Sequence, residues 1–145
     1  MYIMSWFGVL NNDAREVVFE WYRKALTKKI EALSTNYNWL KQIHRQISKM
    51  PYNWTCDEGF HKHCNEEFRK HCNEDFRKQF KLPDWRLEVG MSQKECRRAV
   101  KTYMIWIHFE IEYVQRELDD FELWKVDVLK QAPKTKLNNP FLVKI

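Results

Sequence analysis

The chain is 145 residues long and 44% hydrophobic, with 25 Lys and Arg against 20 Asp and Glu and only three glycines. That is enough for one ordinary domain with a sizeable core, and short for two. A charged fraction of 31% and the lack of any apolar window near the roughly 18 residues a span needs argue against a membrane-spanning helix, while 15% aromatics argue against a disordered tail.

The chain begins with an apolar cluster, Tyr2, Ile3, Met4, Trp6 and Phe7, interrupted only by Ser5 and placed outside any predicted helix. No basic segment precedes it, so no signal peptide is read there, which leaves secretion of a mature chain open. Asn11-Asn12-Asp13 then supplies a helix start, and Pro51 a stop, for a first helix near 12–49. Its apolar stripe is Leu26, Ile30, Leu33, Tyr37, Leu40, His44 and Ile47, with His44 read as a core histidine. The polar run Ser34-Thr35-Asn36 is a candidate kink.

A second helix is expected near 56–81, opened by the capping box Thr55-Cys56-Asp57-Glu58 and closed before Pro83. A third is expected near 93–131, opened by Ser92-Gln93-Lys94-Glu95. Its stripe is Met104, Ile107, Ile111, Val114, Leu118, Phe121 and Val128, with Lys125 the exception. A competing period-two alternation runs through Ile105, Ile107, Phe109, Ile111 and Tyr113, but the longer stripe favours helix. Pro133 and Pro140 make residues 132–145 a non-helical basic tail. The fold class is therefore all-α: a single domain, 1–145, built as an elongated antiparallel bundle of about three long helices with an extended basic C-terminal tail.

The second helix carries an octad repeat. His63-Cys64-Asn65-Glu66-Glu67-Phe68-Arg69-Lys70 is followed by His71-Cys72-Asn73-Glu74-Asp75-Phe76-Arg77-Lys78. Phe60, Cys64, Phe68, Cys72, Phe76 and Phe80 recur every four residues, so the stripe creeps round the helix. Glu66 with Lys70, and Glu74 with Lys78, are set for i,i+4 ion pairs. No CxxC spacing is present and no metal or other cofactor is expected. The cysteines read as buried thiols. Cys64 and Cys72 lie too far apart along a helix to pair, so a bridge from this helix would have to reach Cys96.

Charge is distributed unevenly. Residues 110–127 hold seven acids against Arg116 and Lys125, and the rest of the chain is strongly basic. Lys24 and Lys28, then Lys41, Arg45 and Lys49, form i,i+4 rows on the first helix. Such rows suit an anionic membrane surface or another polyanion. Trp39, Trp54, Trp85, Trp106 and Trp124 fall partly off the stripes, and aromatics beyond the core tend to be interface residues. Trp6 and Phe7 are the candidates for insertion into a membrane or partner. No phosphate loop, nucleophile elbow or zinc-protease motif occurs, so a non-enzyme is expected. The acidic run also argues against nucleic acid as a partner.

Several segments resemble the abalone sperm lysin family, especially its fusogenic paralogue. They are Ser5-Trp6 with Val9-Leu10-Asn11, then Val89-Gly90 ahead of Arg97-Arg98 and Tyr103-Met104-Ile105-Trp106, and the tail Pro140-Phe141-Leu142-Val143-Lys144. The resemblance implies a secreted, non-enzymatic protein of the sperm acrosome. It would act on an egg-coat glycoprotein or an anionic membrane, promote gamete membrane fusion, and allow a homodimer. The sequon Asn53-Trp54-Thr55 is consistent with secretion. The alternative is an intracellular, cytoplasmic helical adaptor or inhibitor, for example viral, that binds a protein partner through its aromatic surface.

Overall fold

The structure is a computed structural model and describes residues 12–130, so Trp6, Phe7, the N-terminal apolar cluster and the tail 132–145 lie outside the described residues. Four helices are described: α1 (Asn12–Ser48), α2 (Glu58–His71), α3 (Glu74–Phe80) and α4 (Gln93–Leu129). Extended pairing among the described residues is confined to one antiparallel bridge, Thr55 with Ser92. The described residues are all-α, and the two long helices α1 and α4 pack antiparallel, with Arg15 meeting Val128 and Ile47 meeting Gln93.

α1 runs through the polar stretch without a break because those side chains bond back to the helix itself. Thr35 Oγ1 donates to the Glu31 carbonyl at 2.9 Å, and Asn36 Nδ2 to the Ala32 carbonyl at 3.0 Å. α4 opens on the expected capping box: the Glu95 N–H donates to Ser92 Oγ at 3.1 Å, and the Ser92 N–H to Glu95 Oε1 at 3.4 Å. The single second helix expected over 56–81 is corrected in two ways. It starts later, because Asp57 is the N-cap, accepting from the Phe60 N–H at 2.7 Å, while Thr55 pairs with Ser92 instead. It also breaks at Cys72, whose backbone leaves helical geometry, and Asn73 caps α3 by accepting from the Phe76 N–H at 2.9 Å.

The octad repeat explains the break. Each four-residue step rotates a side chain by about 40°, so the stripe from Phe60 to Phe80 would wander through roughly half a turn on one continuous helix. Restarting the helix at Asn73 returns Phe80 to the core beside Cys64, Phe68 and Cys72 as a buried residue. The sequence repeats but the structure does not: Asn65 sits inside α2, whereas its counterpart Asn73 is a cap. Of the expected surface pairs, Lys78 reaches Glu74 at 3.1 Å, whereas Lys70 turns to Glu67 at 3.3 Å rather than to Glu66.

The described residues fall into two compact units. The first comprises residues 12–28 and 115–130. Phe19 meets Phe121 and Trp124 edge-on, each at 5.5 Å between centroids, and Tyr22 lies 4.6 Å from Phe121. Lys125, the exception on the α4 stripe, fits because its stem lies along the core while its ammonium sits over the Phe19 ring and reaches Glu16 at 3.7 Å. Buried Arg15 donates to the Val128 carbonyl near the end of α4, where unpaired carbonyls favour a cation.

The second unit comprises residues 29–114. Leu33, Leu40 and Ile47 of α1 are buried, as are Val100, Tyr103, Met104, Ile107 and Val114 of α4; Ile111 is only half-buried. α2 and the 81–92 segment add an aromatic layer in which Trp85 stacks on Phe68 at 4.4 Å and donates from Nε1 to Asn65 at 2.8 Å. Gln93 binds the end of α1 to the start of α4, donating to the carbonyls of Ile47 and Met50 at 3.1 and 2.7 Å.

Candidate functional site

α4 carries apolar residues on two sides within the second unit. Val100, Tyr103, Ile107 and Val114 face inward, and on the largely opposite side Ile105, Trp106, Phe109 and Tyr113 share an arc of about 100°. Phe109 is 60% exposed and Tyr113 62%, far more than a packed aromatic allows. This two-sidedness produced the period-two alternation in the sequence: adjacent apolar pairs on a helix mimic a strand without forming one. Exposed Arg98 falls within the same arc, and exposed Lys101 lies at its edge.

The expected basic residues of the first helix are also exposed. Lys41, Arg45 and Lys49 are all exposed, and Lys41 Nζ lies 5.9 Å from the Tyr37 ring centre, which in turn approaches His108 of α4 at 6.2 Å. His44, half-buried at this seam, has its pKa pushed down by burial and by the nearby charges of Lys101 and Arg97. Two cations of α4 thus face a histidine of α1 and disfavour its protonated form.

In the first unit, Val17 and Trp21 are 70% and 65% exposed, and they share an arc of about 60° on α1 with exposed Lys24 and Lys28. Glu16 and Glu20 border the same shallow groove. On α4, Leu123 and Val126 are exposed as well. One acid of the run is engaged in this unit: Arg23 pairs with Glu20 and, through Nε at 2.6 Å, with Glu122, whose carboxyl is held below its usual range chiefly by that bond.

Each unit thus carries an exposed apolar row with cations on the same helix: Lys24 and Lys28 with Val17 and Trp21 on α1, and Arg98 and Lys101 with the Ile105–Tyr113 row on α4. Of the tryptophans expected off the stripes, Trp106 is exposed, whereas Trp39 is buried and stacks on His71 at 5.1 Å, Trp85 packs on Phe68, Trp54 meets Phe60 at 5.1 Å, and Trp124 meets Phe19. Trp21 is not among the tryptophans singled out from the sequence, although Val17, Trp21, Lys24 and Lys28 follow the 4-3-4 spacing of one helix face.

The remaining chemistry-bearing groups are structural in their surroundings. Cys56, Cys64, Cys72 and Cys96 are buried thiols, and burial pushes Cys64, Cys72 and Cys96 up to about 12. Among the described residues, no group of three His, Cys, Asp or Glu side chains is placed to hold a metal ion. No helix among them is long and apolar enough to cross a membrane. A cleft lined by His61, Asn65, Arg69, Arg77, Asp84 and Trp85 mixes both signs of charge, and Asn65 is already engaged by Trp85 and, at 3.0 Å, by His61.

No protein family, curated protein or solved structure compared with the chain matches it. The likeness to the sperm lysin family stands on the quoted segments alone.

Proposed function

We propose that this chain is a non-enzymatic surface-binding protein that docks on an anionic membrane, with cationic rows making the approach and exposed aromatics entering the interface. The observation that carries the reading is the exposed Ile105–Trp106–Phe109–Tyr113 row, set opposite the buried side of α4 and bordered by Arg98 and Lys101. A soluble helix has no packing reason to keep large apolar side chains on both sides, whereas an interfacial helix does. Each exposed Lys or Arg near an anionic leaflet contributes about 1 kcal/mol, so Lys24, Lys28, Lys41, Arg45 and Lys49 supply attraction, and aromatic insertion prolongs residence. Following the lysin resemblance, the setting proposed is a secreted sperm acrosomal protein promoting gamete membrane fusion, with Trp6 and Phe7 as further inserting residues. An egg-coat glycoprotein is the other anionic surface this setting offers.

Co-sedimentation with phosphatidylserine-containing vesicles at low salt, against neutral phosphatidylcholine vesicles, tests the reading. Binding confined to the anionic vesicles, with leakage of their contents, is the expected result; equal absence of binding to both defeats it. A second reading is a cytoplasmic adaptor or inhibitor that uses the same aromatic row against a protein partner. Four buried free thiols favour it, since they suit a reducing compartment. An adaptor would leave vesicles of either kind intact.

A further inference from the structure

The segment before α2 crosses the start of α4. Thr55 bridges to Ser92, the Cys56 N–H donates to the Met91 carbonyl at 2.8 Å, and the Gly90 N–H donates back to the Cys56 carbonyl at 2.8 Å. Gly90 makes this turn with φ +89°, a conformation that side chains rarely adopt. One turn into α4, the Cys96 N–H donates to the Ser92 carbonyl at 2.9 Å, and Cys96 Sγ lies 3.8 Å from the Met91 oxygen that Cys56 also engages. A shared acceptor therefore holds the Cys56 backbone close to the Cys96 sulfur. Cys96 Sγ donates to that oxygen, and the Cys56 thiol donates to the neighbouring Asp57 carbonyl at 3.7 Å.

We propose that Cys56 and Cys96 form a disulfide that staples the 54–56 segment to the first turn of α4 when the chain folds, or opens locally, in the presence of a disulfide oxidant such as glutathione disulfide. Cys56 loses its proton to solvent, and its thiolate attacks one sulfur of the oxidant, expelling one glutathione thiolate and leaving a mixed disulfide. The Cys96 thiol then gives up its proton, and its sulfur attacks Cys56 Sγ and expels the second glutathione. Two thiols are oxidised and one glutathione disulfide is reduced to two glutathiones. Cys56 goes first because it lies outside any helix, where local opening exposes it more readily than Cys96 within the first turn of α4. Both sulfurs are buried, so the reaction belongs to folding or to transient opening rather than to the closed molecule.

The other cysteines are poorer partners. Cys64, inside α2, is the nearest rival because it lies close enough to Cys56 and Cys96 to feel both, but the backbone strap through Met91 ties Cys56, not Cys64, to Cys96. Cys72 is engaged by Asn36.

The test is oxidative refolding of the reduced wild-type chain in a glutathione redox buffer, followed by alkylation of the remaining thiols, digestion and mass mapping. The expected product carries one bridge, Cys56 to Cys96, with Cys64 and Cys72 alkylated. It should melt about 10 °C above the reduced form, since the bridge closes a long loop. The same oxidation in strong denaturant should scatter bridges among the possible pairs, which separates native selection from chance. C64S should keep the bridge and C96S lose it, with circular dichroism confirming that both fold. A refolded product in which all four thiols are alkylated, or in which the bridge involves Cys64 or Cys72, overturns the proposal. Mapping is independent of membrane binding, so this result and the docking result are read separately.

Discussion

The Cys72 thiol donates its hydrogen bond to the side-chain oxygen of Asn36, with both residues buried in the second unit. The bond joins the point where α2 ends to the middle of α1. Asn36 is a polar residue that a helix interior does not favour, and Cys72 has non-helical backbone, so each answers the other's irregularity. Asn36 also donates to the Ala32 carbonyl, which leaves both ends of its amide engaged. Asn36→Ala should cost about 1–3 kcal/mol, because it deletes one partner of a buried pair and leaves a small void. Urea denaturation with an unchanged m value checks this. A cost of only a few tenths would mean that the bond contributes nothing.

Burial ranks the core positions. Ile107 is fully buried and Ile111 half-buried, so Ile107→Ala should cost about 2–5 kcal/mol and Ile111→Ala clearly less. Phe121→Ala removes the ring shared by Phe19, Tyr22 and Trp124, and should cost about 3–5 kcal/mol. Thermal melts of the three variants on one scale test the order. An Ile111→Ala variant as unstable as Ile107→Ala would contradict the packing described here.

His44 predicts a pH dependence. Burial, then Lys101, then Arg97 disfavour its imidazolium, so its folded pKa lies below the ordinary value of 6.5. As pH falls through that ordinary value, the unfolded chain takes up the proton first, and unfolding is favoured. Stability should therefore decline as pH drops from about 6.5 until the lower folded pKa is passed, and then the His44 contribution should level off. His44→Gln removes this slope while leaving the other titrating groups in place. The difference in unfolding free energy between wild type and His44→Gln should change over this window. A difference that stays constant from pH 7 to the acid range would refute the assignment (range following the usual histidine titration).

The two long helices were legible because caps and stripes agreed: Ser92 and Glu95 formed the box they spelled, and both stripes point inward. The break at Cys72 was less legible because the octad looks helical throughout. Asn73 reads equally well as an interior residue or a cap, and only the need to return Phe80 to the core decides between them. The basic rows were visible as spacing alone. The Ile105–Tyr113 face was hidden by its own signal, since apolar residues on two sides of α4 blur the helical period. Distinguishing them requires knowing which side meets α1 and α2, and that is tertiary information.

Docking on an anionic membrane separates into an electrostatic part and an apolar part, and the two should respond to different variants. Lys41, Arg45 and Lys49 are exposed, so reversing all three to Glu should leave the fold intact by circular dichroism. At about 1 kcal/mol per cation, losing three attractions and gaining three repulsions should weaken binding to phosphatidylserine vesicles by about a hundredfold or more at low salt. Replacing Trp106, Phe109 and Tyr113 with Ser should instead spare the first encounter and abolish leakage, because the charges still attract but nothing enters the interface. Salt should distinguish them further. Screening shortens from about 10 Å at 0.1 M to about 3 Å at 1 M, so the Ser variant should be released by salt more completely than wild type, whose inserted rings hold it. Trp6→Ala with Phe7→Ala, in the same leakage assay, measures what the N-terminal cluster adds. A charge-reversed triple variant that binds anionic vesicles at wild-type strength in low salt would rule out the electrostatic step and, with it, membrane docking in this form.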